Sequence, residues 1–396
     1  MEDVFDLEQK QREIKEALQT NQALAVAKIR EILDRVTNIP LNIAVTGEAG
    51  SGKSTFINAL RGVDDDEEEA AKTGLIETTM EIAPYPHPNH PNVKFWDLPG
   101  VGTMKYPAAD YVKKVRFERF DFFIIISADR FTENDVKLTK EIQRMGKKFY
   151  FVRSKIDNSM RDGKRKKSFN EKKACQEIRE YCTQSLQAQG VVSPQVFLLS
   201  NFELHLYEFP MLEETLEREL PQHKRGAFLL AMPNMSLEII NRKKTAFQAQ
   251  ITLAATLSAV VAGVPIPGFG AAVDLALLFN TIKDYKVSFG LDVPSLKRLA
   301  HSTGVDFEDL RAVMASPLAK TEITPDLVLK VLVKCATTAS LMAAEECCKF
   351  IPIFGIPLAM VLSFAASYWC LKVILDELAK DAHNVFRKAL GLVTAE

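Results

Sequence analysis

Apolar side chains recur at helical spacing near the start of the chain. Leu7, Ile14 and Leu18 mark one face, and Val26, Ile29, Leu33 and Val36 mark another. This predicts two short helices joined near Thr20-Asn21. Asn38-Ile39-Pro40 then breaks the pattern. From Leu41 the rhythm changes to short, nearly continuous apolar runs: LNIAVTG (41–47), VKFWD (93–97), FDFFIIISA (120–128), KKFYFVRSK (147–155) and PQVFLLSN (194–201). Helix-like segments lie between them. Apolar strands alternating with helices imply an α/β fold with a mainly parallel sheet covered on both faces. Ligands on such sheets sit at the carboxyl ends of the strands.

After about residue 215 the pattern is helical to the end. Two stretches there are unusually apolar. ITLAATLSAVVAGVPIPGFGAAVDLALLF (251–279) is split by Pro265, Pro267 and Gly268, and IPIFGIPLAMVLSFAASYWCL (351–371) carries no charge. Both contain a Pro-Ile-(Pro/Phe)-Gly core, which suggests two helical hairpins of related design.

Composition narrows the class. The chain has 396 residues, 47% hydrophobic and 26% charged, with a formal net charge of −1. That suits a globular protein of two or three domains and argues against a nucleic-acid binder. The cysteines form no CxxC pair, so reduced thiols in a cytoplasmic protein are expected rather than zinc ligands. The opening MEDVFDLEQKQ is polar and acidic, unlike a signal peptide. Glu2 stands where N-myristoylation needs glycine.

The candidate chemistry lies at the ends of the apolar runs. Gly47-Glu48-Ala49-Gly50-Ser51-Gly52-Lys53-Ser54 matches GxxxxGK[ST] between a strand and the helix-like KSTFINALRG. Glycines there let backbone N–H groups close around an anion, and the helix start adds further donors, with Thr55 in its first turn. Lys53 is expected to neutralise the β- and γ-phosphates, and the Ser54 hydroxyl to ligate Mg²⁺. Asp97-Leu98-Pro99-Gly100 follows the next strand. Asp97 is expected to hold Mg²⁺ through water, and the Gly100 N–H to meet the γ-phosphate. Ser154-Lys155-Ile156-Asp157 ends a further strand. A carboxylate at Asp157 accepts from guanine N1–H and N2–H₂ together, a donor pair that adenine lacks. The Lys155 stem lies over the base. Ser154 stands where Asn or Thr is usual, so looser loop contacts are expected. Ser200-Asn201 ends the last run, where a loop closes over the base. Each motif alone reads as solvated loop; four in order at strand ends read as a site for GTP and GDP.

Between the loop and Asp97 lie the acidic run 64–69 and then KTGLIETTMEIAPYP. The first reads as a solvated loop. In the second, Thr73, Glu77, Thr78 and Thr79 are candidate switch residues, Thr79 with a hydroxyl for Mg²⁺ or the γ-phosphate; an ordinary β-edge segment is the alternative. Val101-Gly102-Thr103 follow Gly100, where Ras-like proteins place a water-orienting Gln. Hydrolysis is therefore expected to be slow alone, or to need groups from a second molecule.

At these residues the sequence resembles the immunity-related (interferon-inducible) GTPases, and in VPIPGFGAA and IPIFG the branch called interferon-inducible GTPase-5-like or cinema. The resemblance runs from GEAGSGKSTFINALRGV through KKFYFVRSKID to FGLDVPSLKRLA and covers nearly the whole chain. It implies a Ras-like P-loop GTPase domain and an all-α domain built from both chain ends: residues 1–38 and 218–396 helical, 39–217 GTP-binding. It also implies GTP-dependent self-association through the nucleotide faces and peripheral association with intracellular membranes. Residues matching Thr73 and Gly74 touch nucleotide in that family, and the one matching Glu77 lies in the switch that meets a partner. Catalytic roles thus fall to Lys53, Ser54, Glu77 and Thr79.

Some readings stay open. The first apolar stretch is either a buried helical hairpin or a membrane-inserting one, each half too short to span a bilayer; the second, long enough to span, is either a core or interfacial helix or a membrane-inserting one. Cys347-Cys348 are either buried thiols or palmitoylation sites. The basic run 161–167 is a solvated loop, or a contact with anionic lipid or a second subunit. A nucleotide-gated membrane or assembly adaptor with incidental hydrolysis is the alternative to a dimer-activated GTPase.

Overall fold

The computed structural model describes residues 7–73, 82–99, 115–128, 133–259, 271–328, 330, 331, 334 and 358–392. The chain divides into two compact units, one spanning Ile39–Met235 and the other Met1–Asn38 with Ser236–Glu396.

The first unit is built on β1 (Leu41–Gly47), β2 (Ala83–Pro86), β3 (Val93–Asp97), β4 (Phe122–Ser127), β5 (Lys148–Arg153) and β6 (Val196–Leu198). Their order in the sheet is β2-β3-β1-β4-β5-β6. All neighbours pair in parallel except β2 with β3. The strand β2, in the segment that left a β-edge reading open, holds Pro84 and Pro86, which an edge strand tolerates. Period-two alternation sends side chains to both faces. Leu41, Ile43, Val45, Phe122 and Ile124 pack in one apolar cluster, and Ala44, Phe123 and Ile125 in another. Every residue of β4 is buried, as expected of a strand covered twice.

Around the sheet stand α3 (Lys53–Arg61), α4 (Glu133–Arg144), α5 (Ile156–Gly163), α6 (Glu171–Ala188), α7 (Phe209–Glu219) and α8 (Gln222–Ala231). The last two place the unit's end after Met235, not after residue 217 as the sequence suggests. Leu212, Leu216 and Leu220, with Phe228, Ala231 and Met232, pack into the cluster that holds Leu41 and Phe122. With Phe56, Ile57 and Leu60 of α3 they cover that face of the sheet.

The second unit is helical and joins both chain ends. It contains α1 (Leu7–Thr20), α2 (Gln22–Thr37), α9 (Leu237–Ala259), α10 (Ala271–Ser288), α11 (Val293–Thr303), α12 (Phe307–Ala312), α13 (Pro317–Lys320) and α14 (Leu358–Ala389). Ile14, Ala25, Ile29 and Ile32 close on Leu257 of α9. In α14 a buried stripe runs Cys370, Ile374, Leu375, Leu378, Ala382, Val385, Phe386, at helical spacing. Buried Asp381 accepts from Ala315 N–H at 2.7 Å and Ser316 N–H at 2.8 Å, which offsets its desolvation.

The apolar stretch 351–371 is largely the start of α14, a helix that goes on through charged residues. Residues 351–357, the turn at Pro265–Gly270 and Cys347-Cys348 lie outside the described residues. No helix among the described residues is long and apolar enough to cross a membrane. Among those residues Cys175, Cys182 and Cys370 are free thiols, and no three His, Cys, Asp or Glu side chains gather as metal ligands.

The acidic run 64–69 is solvated yet anchored. Asn58 of α3 is 1% exposed. Its amide donates to Asp65 at 2.7 Å and to the Ala71 carbonyl at 2.9 Å, and accepts from Ala71 N–H at 2.7 Å. One turn on, Arg61 donates to the carbonyls of Glu69 and Pro86, both at 3.0 Å. The helix that begins at the phosphate loop therefore holds both the acidic run and β2. Asn58→Ala strands a buried backbone donor and acceptor, and should cost about 2–3 kcal/mol of stability by urea unfolding. A loss under about 0.5 kcal/mol would mean that water replaces the amide there.

Candidate functional site

The registers Val45↔Asp97, Gly47↔Ile126, Ser127↔Arg153 and Arg153↔Leu198 bring the ends of the parallel strands to one edge of the sheet. The segments that follow those ends supply the site.

The phosphate loop leaves β1 at Gly47, whose φ is +142°. A Cβ there would lie 2.0 Å from the Ile126 carbonyl oxygen. No side chain fits, because the backbones of β1 and β4 touch at that point. Gly52, with φ +92°, sits at the N-cap of α3 and supplies no side-chain cap. The first N–H groups of α3 therefore keep their capacity for an anion. Lys53 is buried, and its Nζ donates to the Glu48 carbonyl at 3.1 Å, across the mouth of the loop. Glu48, Ala49 and Gly50 are exposed, and Thr55 is half-buried in the first turn of α3.

The Ser54 hydroxyl donates to Asp97 Oδ2 at 2.7 Å, and both residues are buried. A hydroxyl and a carboxylate held together beside a helix start are hard oxygen donors of the kind Mg²⁺ takes. The residues present fit that ion.

On the base side, Ser154 is fully buried. Its hydroxyl lies 2.7 Å from the Ser51 carbonyl and 3.3 Å from that of Ser127. The expectation of looser contacts from serine is thus corrected: the short hydroxyl reaches the phosphate loop directly. Lys155 has φ +54°, is exposed, and donates from Nζ to the Gly50 carbonyl at 2.8 Å. Asp157 follows in the first turn of α5, half-buried. Ser200 and Asn201 are buried beyond β6, and Asn201 Nδ2 donates to the Gly52 carbonyl at 3.0 Å. The structure thus brings together the loop 47–54, Asp97, Ser154, Lys155 and Asn201. Thr73 is the last described residue before the segment 74–81. Gly74, Glu77, Thr78, Thr79, Gly100 and Val101–Thr103 lie outside the described residues.

Two residues escaped the sequence reading. Buried Arg153 donates to the Ser154 carbonyl at 2.7 Å and props the base motif. Tyr207 lies in the field of Glu171, Glu203 and Asp157; burial first, then those carboxylates, pushes its phenol up to about 12. Its φ of +58° is rare for a tyrosine. An arginine closing a strand and an aromatic in a polar loop are common outside sites, so neither carried a signal.

The family model for the interferon-inducible GTPases matches residues 7–389. The chain belongs to that family. It is accordingly a GTPase. Interferon-inducible GTPase 5 of Rattus norvegicus is 43% identical over 368 residues, covering 92% of this chain and 79% of that protein. The Bos taurus counterpart is 44% identical over the same shares. T-cell-specific guanine nucleotide triphosphate-binding protein 2 of Mus musculus is 39% identical over 381 residues, 94% of this chain and 89% of that one. Among solved structures, an S. thermophilus NFeoB mutant bound to GMPPNP is 15% identical with a TM-score of 0.31, covering 85% of this chain and 99% of that one.

The contact at Gly47 gives a direct test of the loop. Gly47→Ala forces a clash with the Ile126 backbone and should cost more than about 3 kcal/mol in urea unfolding, whereas Gly50→Ala, open on all sides, should cost about 1. Equal losses would show that the approach of β4 does not decide the residue.

Proposed function

We propose that this GTPase reads guanine through Asp157, uses Mg²⁺ held by Ser54 and Asp97, and completes its catalytic site with a second copy of the chain. The observation that carries the reading is the buried Ser54–Asp97 pair at 2.7 Å, set at the start of α3 beside Lys53. Water attacks the γ-phosphorus in line, the bond to the β–γ bridging oxygen breaks, GDP leaves, and the water's protons end on phosphate and solvent. Lys53 balances charge on the β- and γ-oxygens. Mg²⁺, when bound, neutralises charge between the same phosphates. Glu77, Thr79 and Gly100 are the switch residues of this scheme, with Thr73 and Gly74 against the nucleotide.

Position 101 is valine, and valine cannot orient water by hydrogen bonding. That supports activation in trans, across nucleotide faces of two chains. Membrane association would be peripheral, on an intracellular surface reached from the cytoplasm, and nucleic acid plays no part. The second reading is an assembly or membrane adaptor gated by nucleotide, with hydrolysis incidental; the same valine favours it.

Two measurements test these assignments. Asp157→Asn exchanges a carboxylate for an amide that cannot accept from both guanine donors at once, so preference for GDP over XDP should reverse, read by competition binding. An unchanged preference would assign base reading elsewhere. Specific activity should rise with protein concentration, alongside a mass increase by light scattering in a non-hydrolysable GTP analogue. Constant specific activity without a mass change would sink activation in trans and leave the adaptor reading.

A further inference from the structure

Three consecutive carbonyls of the phosphate loop receive donors from the base side. Lys155 Nζ reaches Gly50, the Ser154 hydroxyl reaches Ser51, and Asn201 Nδ2 reaches Gly52. The third bond differs in origin, because Asn201 follows β6 and belongs to the loop expected to close over the base.

We propose that Asn201 is a positioning residue for the phosphate loop and makes no contact with the base. The proposal rests on the guanine-nucleotide reading above and assigns one residue's role within it. Asn201 is 8% exposed. Its amide nitrogen must be the end at Gly52, since a reversed amide would set two oxygens against each other. The Gly52 carbonyl also accepts the first helical bond of α3, from Phe56 N–H at 2.9 Å. With one acceptor direction on Phe56 and the other on Asn201, the Gly52–Lys53 peptide plane has no freedom to turn. In a trans peptide the N–H points opposite the carbonyl. Fixing that plane therefore fixes the Lys53 N–H, a donor at the start of the helix. A Cβ at position 52 would stand 3.0 Å from Asn201 Nδ2 and crowd this bond. The other end of the amide, Oδ1, is buried with no hydrogen-bond partner. It is the one atom with which Asn201 could instead accept from the guanine 2-amino group, so the two roles separate by ligand.

The test compares GDP with IDP, which lacks that amino group, on the full chain and on Asn201→Ala. Dissociation is followed from preloaded protein, so that only folded molecules are read. Both nucleotides should leave about five- to thirtyfold faster, by the same factor, with the GDP:IDP preference unchanged. Asn201→Asp keeps the shape but removes the donor, and should be impaired at least as much. A faster loss of GDP alone would make Asn201 a base reader and overturn the proposal. So would wild-type dissociation from either variant, including the case where only the unfolding midpoint of the nucleotide-free chain drops. A wild-type chain that binds neither nucleotide would overturn the guanine reading itself, and this assignment with it.

Discussion

The parallel pairing of β1 with β3 and β4 is the constraint on which the site depends. It sets Val45 beside Asp97 and Gly47 beside Ile126, so the phosphate loop and its carboxylate leave the sheet at one edge. The pairing also explains why the loop starts with glycine: β4's backbone occupies the space where a side chain would go. Both faces of β4 are buried, and nearly all of β1. A one-residue slip would send Ile124 into the cluster that holds Phe123 and Ile125, a space shaped for other side chains, so packing locks the register.

From that edge the polar groups organise in layers. Ser54 and Asp97 hold each other at the phosphate end. Ser154, Lys155 and Asn201 hold loop carbonyls from the base end. Further down α3, Asn58 and Arg61 bind the acidic run and β2 through backbone groups. One nine-residue helix thus carries Lys53 and Ser54 at its start and structural anchors at its end.

Much of the site was legible because its residues act locally. Lys53 and Ser54 follow a glycine-rich turn, and Asp97, Ser154 and Asp157 each end an apolar run, so strand period and motif spacing together locate them. Asn58, Arg61 and Arg153 were not legible. Most of their partners are backbone carbonyls and N–H groups, which every residue carries, so no side-chain pattern marks such bonds. The role of Asn201 was half-legible: its place after β6 marked it for the base loop, while its bond to Gly52 spans 149 positions and leaves no pattern.

The sequence by itself determined the alternation of strands and helices, the glycine-rich loop before α3, the Ser154–Asp157 motif at a strand end and the absence of glutamine at position 101. These follow from side-chain identity and short-range spacing. Tertiary structure decided where the α/β unit ends, since α7 and α8 look like any amphipathic helices until the sheet face they cover is known. It also decided that serine at 154 suffices, because burial brings the Ser51 carbonyl within reach of a short hydroxyl. Distances between segments far apart in the chain are set by packing, and spacing along the sequence carries no record of them.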